Sequence, residues 1–87
     1  MHCISLEYVI IPSSVTTIGD NAFYKCESLR EIIIPNSVTS IGACAFGCCS
    51  SLIKIVIPPL VTEIKNGVFY NCKSLREVTI PSSVTIL

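Results

Sequence analysis

The chain has 87 residues, 51% of them hydrophobic and none tryptophan, with six basic side chains balancing six acidic ones. That length admits one small domain but leaves a globular core marginal, because short chains bury a small fraction of their surface. The even charge supplies no basic stripe for a phosphate backbone, which excludes nucleic acid as a partner, and no apolar run reaches the ~20 residues of a membrane span.

The chain opens with MHCISLEYVIIP, which lacks the basic start and small-residue cleavage site of a secretory signal. It carries Cys3, Leu6, Val9 and Ile11 instead, and these positions recur. Cysteine returns at Cys26, Cys49 and Cys72, leucine at Leu29, Leu52 and Leu75, and proline stands at Pro12, Pro35, Pro58 and Pro81. The spacing is 23 residues throughout, and a fixed period of about 20 to 50 residues marks a solenoid. The chain divides into a half repeat 1–11, full repeats 12–34, 35–57 and 58–80, and a half repeat 81–87. That makes about four coils, near the minimum of roughly three for a stable array.

Three pieces are predicted in each unit. The first is a strand around EYVII, REIII, LIKIVI or REVTI, rich in β-branched residues and closed by proline, which has no N–H for the ladder. Leu29, Ile32 and Ile34 set the inward pattern, and a period of two places Ile32 and Ile34 on one face. The second piece is Val-Thr-x-Ile, a shorter strand or extended turn with Val and Ile inward. The third, DNAFYKC, ACAFGCC or NGVFYNC, reads as one or two helical turns, with Gly19 and Gly42 at the turn and Asp20 as its N-cap. Lys65 replaces that glycine in the third unit, where Gly67 follows two residues later. Stacked at roughly 4.8 Å, the units align Phe23, Phe46 and Phe69 as a spine, with Ala22, Ala45 and Val68 beside it.

The pattern carried by Leu29, Ile32, Ile34, Pro35, Val38, Ile41, Ala45, Phe46 and Cys49 resembles the BspA-like leucine-rich repeats, a class common in surface antigens. The match covers nearly the whole chain. It departs from commoner leucine-rich repeats, which place Asn or Cys where this chain has Ser14, Ser37, Leu60 and Ser83. The resemblance implies a right-handed coil of short parallel strands and a non-catalytic protein that binds other proteins, host or matrix proteins among them. It names no ligand.

Residues that could carry chemistry have plainer readings. Cys3, Cys26, Cys49 and Cys72 read as a column of buried thiols packing as small hydrophobes, and nothing in the sequence calls for a disulfide between rungs. Cys44 and Cys48 lie outside that column. On a helical turn they share a face, and with Cys49 they form a local cluster prone to cross-linking. Zinc needs about four ligands, and His2, the only histidine, sits a unit or more away, so no metal is expected. His2 and Cys3 point to opposite faces of an extended strand, and there is neither a Ser–His–Asp arrangement nor a phosphate loop. We therefore expect no enzyme activity and no cofactor. Ser5, Ser28, Ser51 and Ser74 read as backbone-bonding residues.

The outward strand positions remain: Tyr8 and Ile10, Glu31 and Ile33, Lys54 and Val56, Glu77 and Thr79. Stacked, they form a charged column, Tyr–Glu–Lys–Glu, and an apolar one, Ile–Ile–Val–Thr. β-branched residues favour strands for their own sake. An exposed apolar stripe is also where a solenoid takes a protein ligand, and these eight residues are the expected binding surface. The family resemblance points to a cell-surface or secreted protein; a chain complete as given and free of disulfides points to a cytoplasmic scaffold. Both ends stop mid-unit and apolar. This predicts either a piece of a longer array, without independent function when uncapped, or end-to-end self-association.

Overall fold

A computed structural model describes residues 6–84. Its strands are short: β1 (Tyr8–Ile10), β2 (Thr17–Ile18), β3 (Glu31–Ile33), β4 (Ser40–Ile41), β5 (Lys54–Val56) and β6 (Glu77–Thr79). β1, β3, β5 and β6 stack in that order as one parallel sheet, and β2 pairs with β4 in a second. Partners lie one period apart: Tyr8 with Glu31, Val9 with Ile32, Thr17 with Ser40, Lys54 with Glu77. A lone bridge at Glu63 marks the position matching β2 and β4 in the next coil.

The core lies between the two sheets and the turn segment. Leu29, Ile32, Val38, Ile41, Phe46, Leu52, Ile55 and Val61 are all buried in it. At about 1.5–3 kcal/mol per fully buried side chain, this repeated burial is the main force holding the coils. Phe23 and Phe46 stack with ring centroids 5.5 Å apart and planes within 2°, and Phe69 packs partly buried against the same core. β6 is an edge strand, and Val78, on the inward column, is correspondingly 38% exposed.

The prolines start tight turns. Pro12, Pro35, Pro58 and Pro81 each accept a hydrogen bond from the N–H of the valine three residues on, at 3.1–3.2 Å. Serine secures the next rung: Ser37 Oγ donates to the Val15 carbonyl at 2.6 Å, and Ser83 Oγ to the Val61 carbonyl at 3.0 Å. Leu60 occupies the same column, makes no such bond, and is 58% exposed.

The third piece is not helical. Among the described residues there is no helix, and therefore none long or apolar enough to cross a membrane. Its backbone alternates. The N–H groups of Asn21, Phe23 and Lys25 donate to Ala43, Ala45 and Gly47 of the next coil, at 3.0, 2.8 and 2.8 Å. Those of Ala22, Tyr24 and Cys26 close local turns onto Gly19, Asn21 and Phe23. The next coil repeats the scheme, with Cys44, Phe46 and Cys48 donating to Asn66, Val68 and Tyr70. An α-helix would spend every N–H within its own segment and leave the coils unjoined. Splitting the donors bonds the turn both to its own coil and to the next, and so knits the stack.

This alternation needs left-handed residues at two columns four apart. Asn21, Cys44 and Gly67 have φ of 59°, 57° and 70°, and Lys25, Cys48 and Asn71 have 61°, 58° and 56°. Glycine and asparagine suit that region, and the other residues are strained there. Asp20 does not cap a helix; its Oδ1 accepts the Ala43 N–H of the next coil at 2.9 Å. Gly42 is needed for close approach, because a Cβ there would collide with the Asp20 amide and carboxylate.

Candidate binding face

The strand face is built by the alternation of side chains along each three-residue strand. In β3 and β5 the central residue is buried and its neighbours are exposed. Ile10 is 65%, Ile33 44% and Val56 47% exposed, and Thr79 continues the column. Tyr8, Glu31, Lys54 and Glu77 form the parallel column, in register and exposed. The structure thus brings all eight expected residues onto one surface. A shallow hollow lies over Glu31, Ile33, Lys54 and Val56, and a second over Tyr8, Glu31 and Lys54 extends to Glu7, Arg30 and Ile53.

That second hollow exposes a column the strand pattern alone did not single out. Glu7, Arg30, Ile53 and Arg76 stand one residue before each outward strand position and are all exposed. Sequence could have marked it: the chain's only two arginines lie two periods apart.

The turn face is chemically quieter. Cys26 is disulfide-bonded, which corrects the expectation of a column of free thiols; the other four described cysteines are free. Cys49 and Cys72 donate to the carbonyls of Phe23 and Phe46, at 3.2 and 3.1 Å. Burial pushes the Cys49 thiol up to about 12 and raises Cys72 as well. Cys44 and Cys48 do not share a helical face; each occupies a left-handed turn position. Cys44 lies against Gly67, and Cys48 hydrogen-bonds with the Tyr24 hydroxyl, which raises the tyrosine's pKa. Among the described residues no group of three or more His, Cys, Asp or Glu is placed to hold a metal ion. Ser28, Ser51 and Ser74 make no side-chain hydrogen bond among the described residues, so the backbone-bonding role falls to Ser37 and Ser83 instead. The expectations for His2, Cys3 and Ser5 lie outside the described residues.

Comparison with known proteins accords with this architecture. A leucine-rich repeat protein of T. pallidum is 35% identical, with a TM-score of 0.91 over 97% of this chain and 40% of its own. One from Bacteroides ovatus is 37% identical, with a TM-score of 0.89 over 97% of this chain and 21% of its own. A leucine rich cell surface protein of Faecalibacterium prausnitzii is 37% identical, with a TM-score of 0.58 over 93% of this chain and 29% of its own. The chain therefore spans less than half the length of each of these structures. No curated protein matches it. A family model described as a BspA type leucine rich repeat region, in six copies, matches residues 1–87. With strand and proline turn recurring in register, the chain belongs to the BspA-type leucine-rich repeat family.

Proposed function

We propose that this chain is a non-catalytic protein-interaction module whose exposed sheet face engages a protein partner, as part of a surface protein working in adhesion or recognition. The observation that carries this reading is the aligned apolar column Ile10–Ile33–Val56, held outward on three successive strands. A protein that exposes contiguous apolar side chains on a rigid sheet has a ready contact surface. Its flanking column alternates Glu31, Lys54 and Glu77, which supplies polar specificity at the rim. The disulfide at Cys26 favours an oxidising compartment and so supports the surface reading over an intracellular scaffold. Host or matrix proteins are the partner class we infer.

The test is surface plasmon resonance against a panel of purified extracellular-matrix proteins, comparing the native chain with Ile33→Glu. Saturable binding to at least one of them, weakened in the variant with its circular dichroism unchanged, supports the reading. Absence of binding across the panel, or equal binding by the variant, overturns it.

A further inference from the structure

Beside the sheet face runs an open groove of about 750 Å³, at the corner where turn meets strand. It is lined by Ser28, Ser51 and Ser74 on one side and by Arg30, Ile53 and Arg76 on the other, with Lys73 and Leu75 at one end and Glu7 at the opposite end. Three of the chain's six basic residues line it against one acidic residue. A chain with no net charge has therefore concentrated positive charge in one concave place.

Leu75 packs against the core, but the arginines and serines of the groove are not used by the fold. Neither guanidinium has an ion pair or hydrogen bond among the described residues, and the three serine hydroxyls are equally unengaged. The contrast with Ser37 and Ser83 is informative, because those serines bond backbone carbonyls of the preceding coil. The groove thus presents one hydroxyl per rung and a guanidinium on alternate rungs, with Ile53 between them.

We infer that this groove is a second binding site, which takes an extended acidic peptide segment of a protein partner. Arginine suits the task because its planar fork pairs with a carboxylate through two parallel hydrogen bonds. Arg30 and Arg76 sit two rungs apart, roughly 9.6 Å along the stack. A polyproline II segment, the open conformation common in unfolded chains, rises about 3.1 Å per residue with three residues per turn. Side chains three residues apart therefore project on one side about 9.3 Å apart and meet both arginines. In a β-strand, alternate side chains share a side only about 6.6 Å apart, which falls short of the second arginine. Ile53 packs against the stem between the two carboxylates, and the serine hydroxyls face the peptide's unpaired backbone groups. Glu7 repels acid at its own end, so the acidic stretch runs from Arg30 toward Arg76 and Lys73.

The inference rests on the reading of the chain as a protein-interaction module but uses a different surface. It is tested by titrating the chain at low salt with two synthetic Pro/Ala-based peptides of equal length and equal glutamate count. One carries glutamate at every third residue and the other at every second. We expect the first to bind and the second to bind roughly tenfold more weakly. Arg76→Gln should lose the preference, Arg76→Lys should recover only part of the affinity, and Ile33→Glu should leave peptide binding unchanged. Equal affinity for both peptides, indicating charge attraction alone, overturns the proposal. So does the absence of peptide binding, including the case where an acidic oligosaccharide binds instead. Failure here leaves the matrix-protein experiment untouched, because that one reads Ile33 and this one reads Arg76.

Discussion

Replacing Phe46 with alanine probes how the coils are held together. The ring is fully buried, stacks on Phe23 at 5.5 Å, and sits in a segment bonded to the coils on both sides. Truncating a buried phenylalanine costs about 3–5 kcal/mol. A chain of 87 residues, at roughly 0.05–0.15 kcal/mol per residue, has about 4–13 kcal/mol to lose. The variant therefore stands near the edge of unfolding. With a urea m-value of about 1–3 kcal/mol/M, the midpoint should fall by about 1–5 M. The chain has no tryptophan, so far-UV circular dichroism is the appropriate signal. Phe23→Ala and Phe69→Ala serve as comparisons, since both rings are only partly buried and each should cost less. Should Phe46→Ala cost no more than Phe69→Ala, the stacked spine is not what joins the coils.

Single columns of the repeat make further outcomes measurable. Leu60→Ser should raise the denaturant midpoint by the equivalent of about 0.5–1.5 kcal/mol, because it restores the serine-to-carbonyl bond that Ser37 and Ser83 make, here to Val38. Gly67→Ala should destabilise by about 1–2 kcal/mol through its left-handed φ of 70°, and the contact of the new Cβ with Cys44 Sγ predicts partial relief in a Cys44→Ala background. Iodoacetamide at mildly alkaline pH should label half-buried Cys44 and Cys48 and spare Cys49, whose thiol is held near 12 by burial. Because that folded value lies above the ordinary thiol value of 9.0, the fold keeps its proton where the unfolded chain loses it. Stability from this group is complete below about pH 9 and declines as pH rises toward 12, a slope that Cys49→Ala should reduce.

The strand register was legible because its signal is redundant. Leucine, two inward β-branched residues and a terminating proline recur on every rung, and a slip by one residue would bury Glu31 and Lys54 and expose Ile32 and Ile55. The turn segment differs from its sequence expectation because its composition resembles a short capped helix. What decides it is the distribution of N–H donors between coils, and its trace in sequence is faint: Asn21 and Gly67 in one column, Asn71 in the other. Cys44, Cys48 and Lys25 hide the rule, since a strained left-handed residue carries no mark in a sequence. The cysteine column looked uniform because all its members share one spacing, yet Cys26 is bridged while Cys49 and Cys72 donate to carbonyls. The arginine groove is not legible in the sequence because Arg30 and Arg76 precede the strands, and only the three-dimensional corner joins them to Ser28, Ser51 and Ser74.

Ile33→Glu asks whether binding runs through the sheet face. The variant places a charge at the centre of the Ile10–Ile33–Val56 column without touching the core, since Ile33 points outward on β3. The expected result is an unchanged urea midpoint together with a loss of binding to the matrix protein that the native chain captures on the sensor surface. A chain that unfolds on this change would show that Ile33 faces inward, and a folded variant that binds as tightly as the native chain would show that the partner does not use this face.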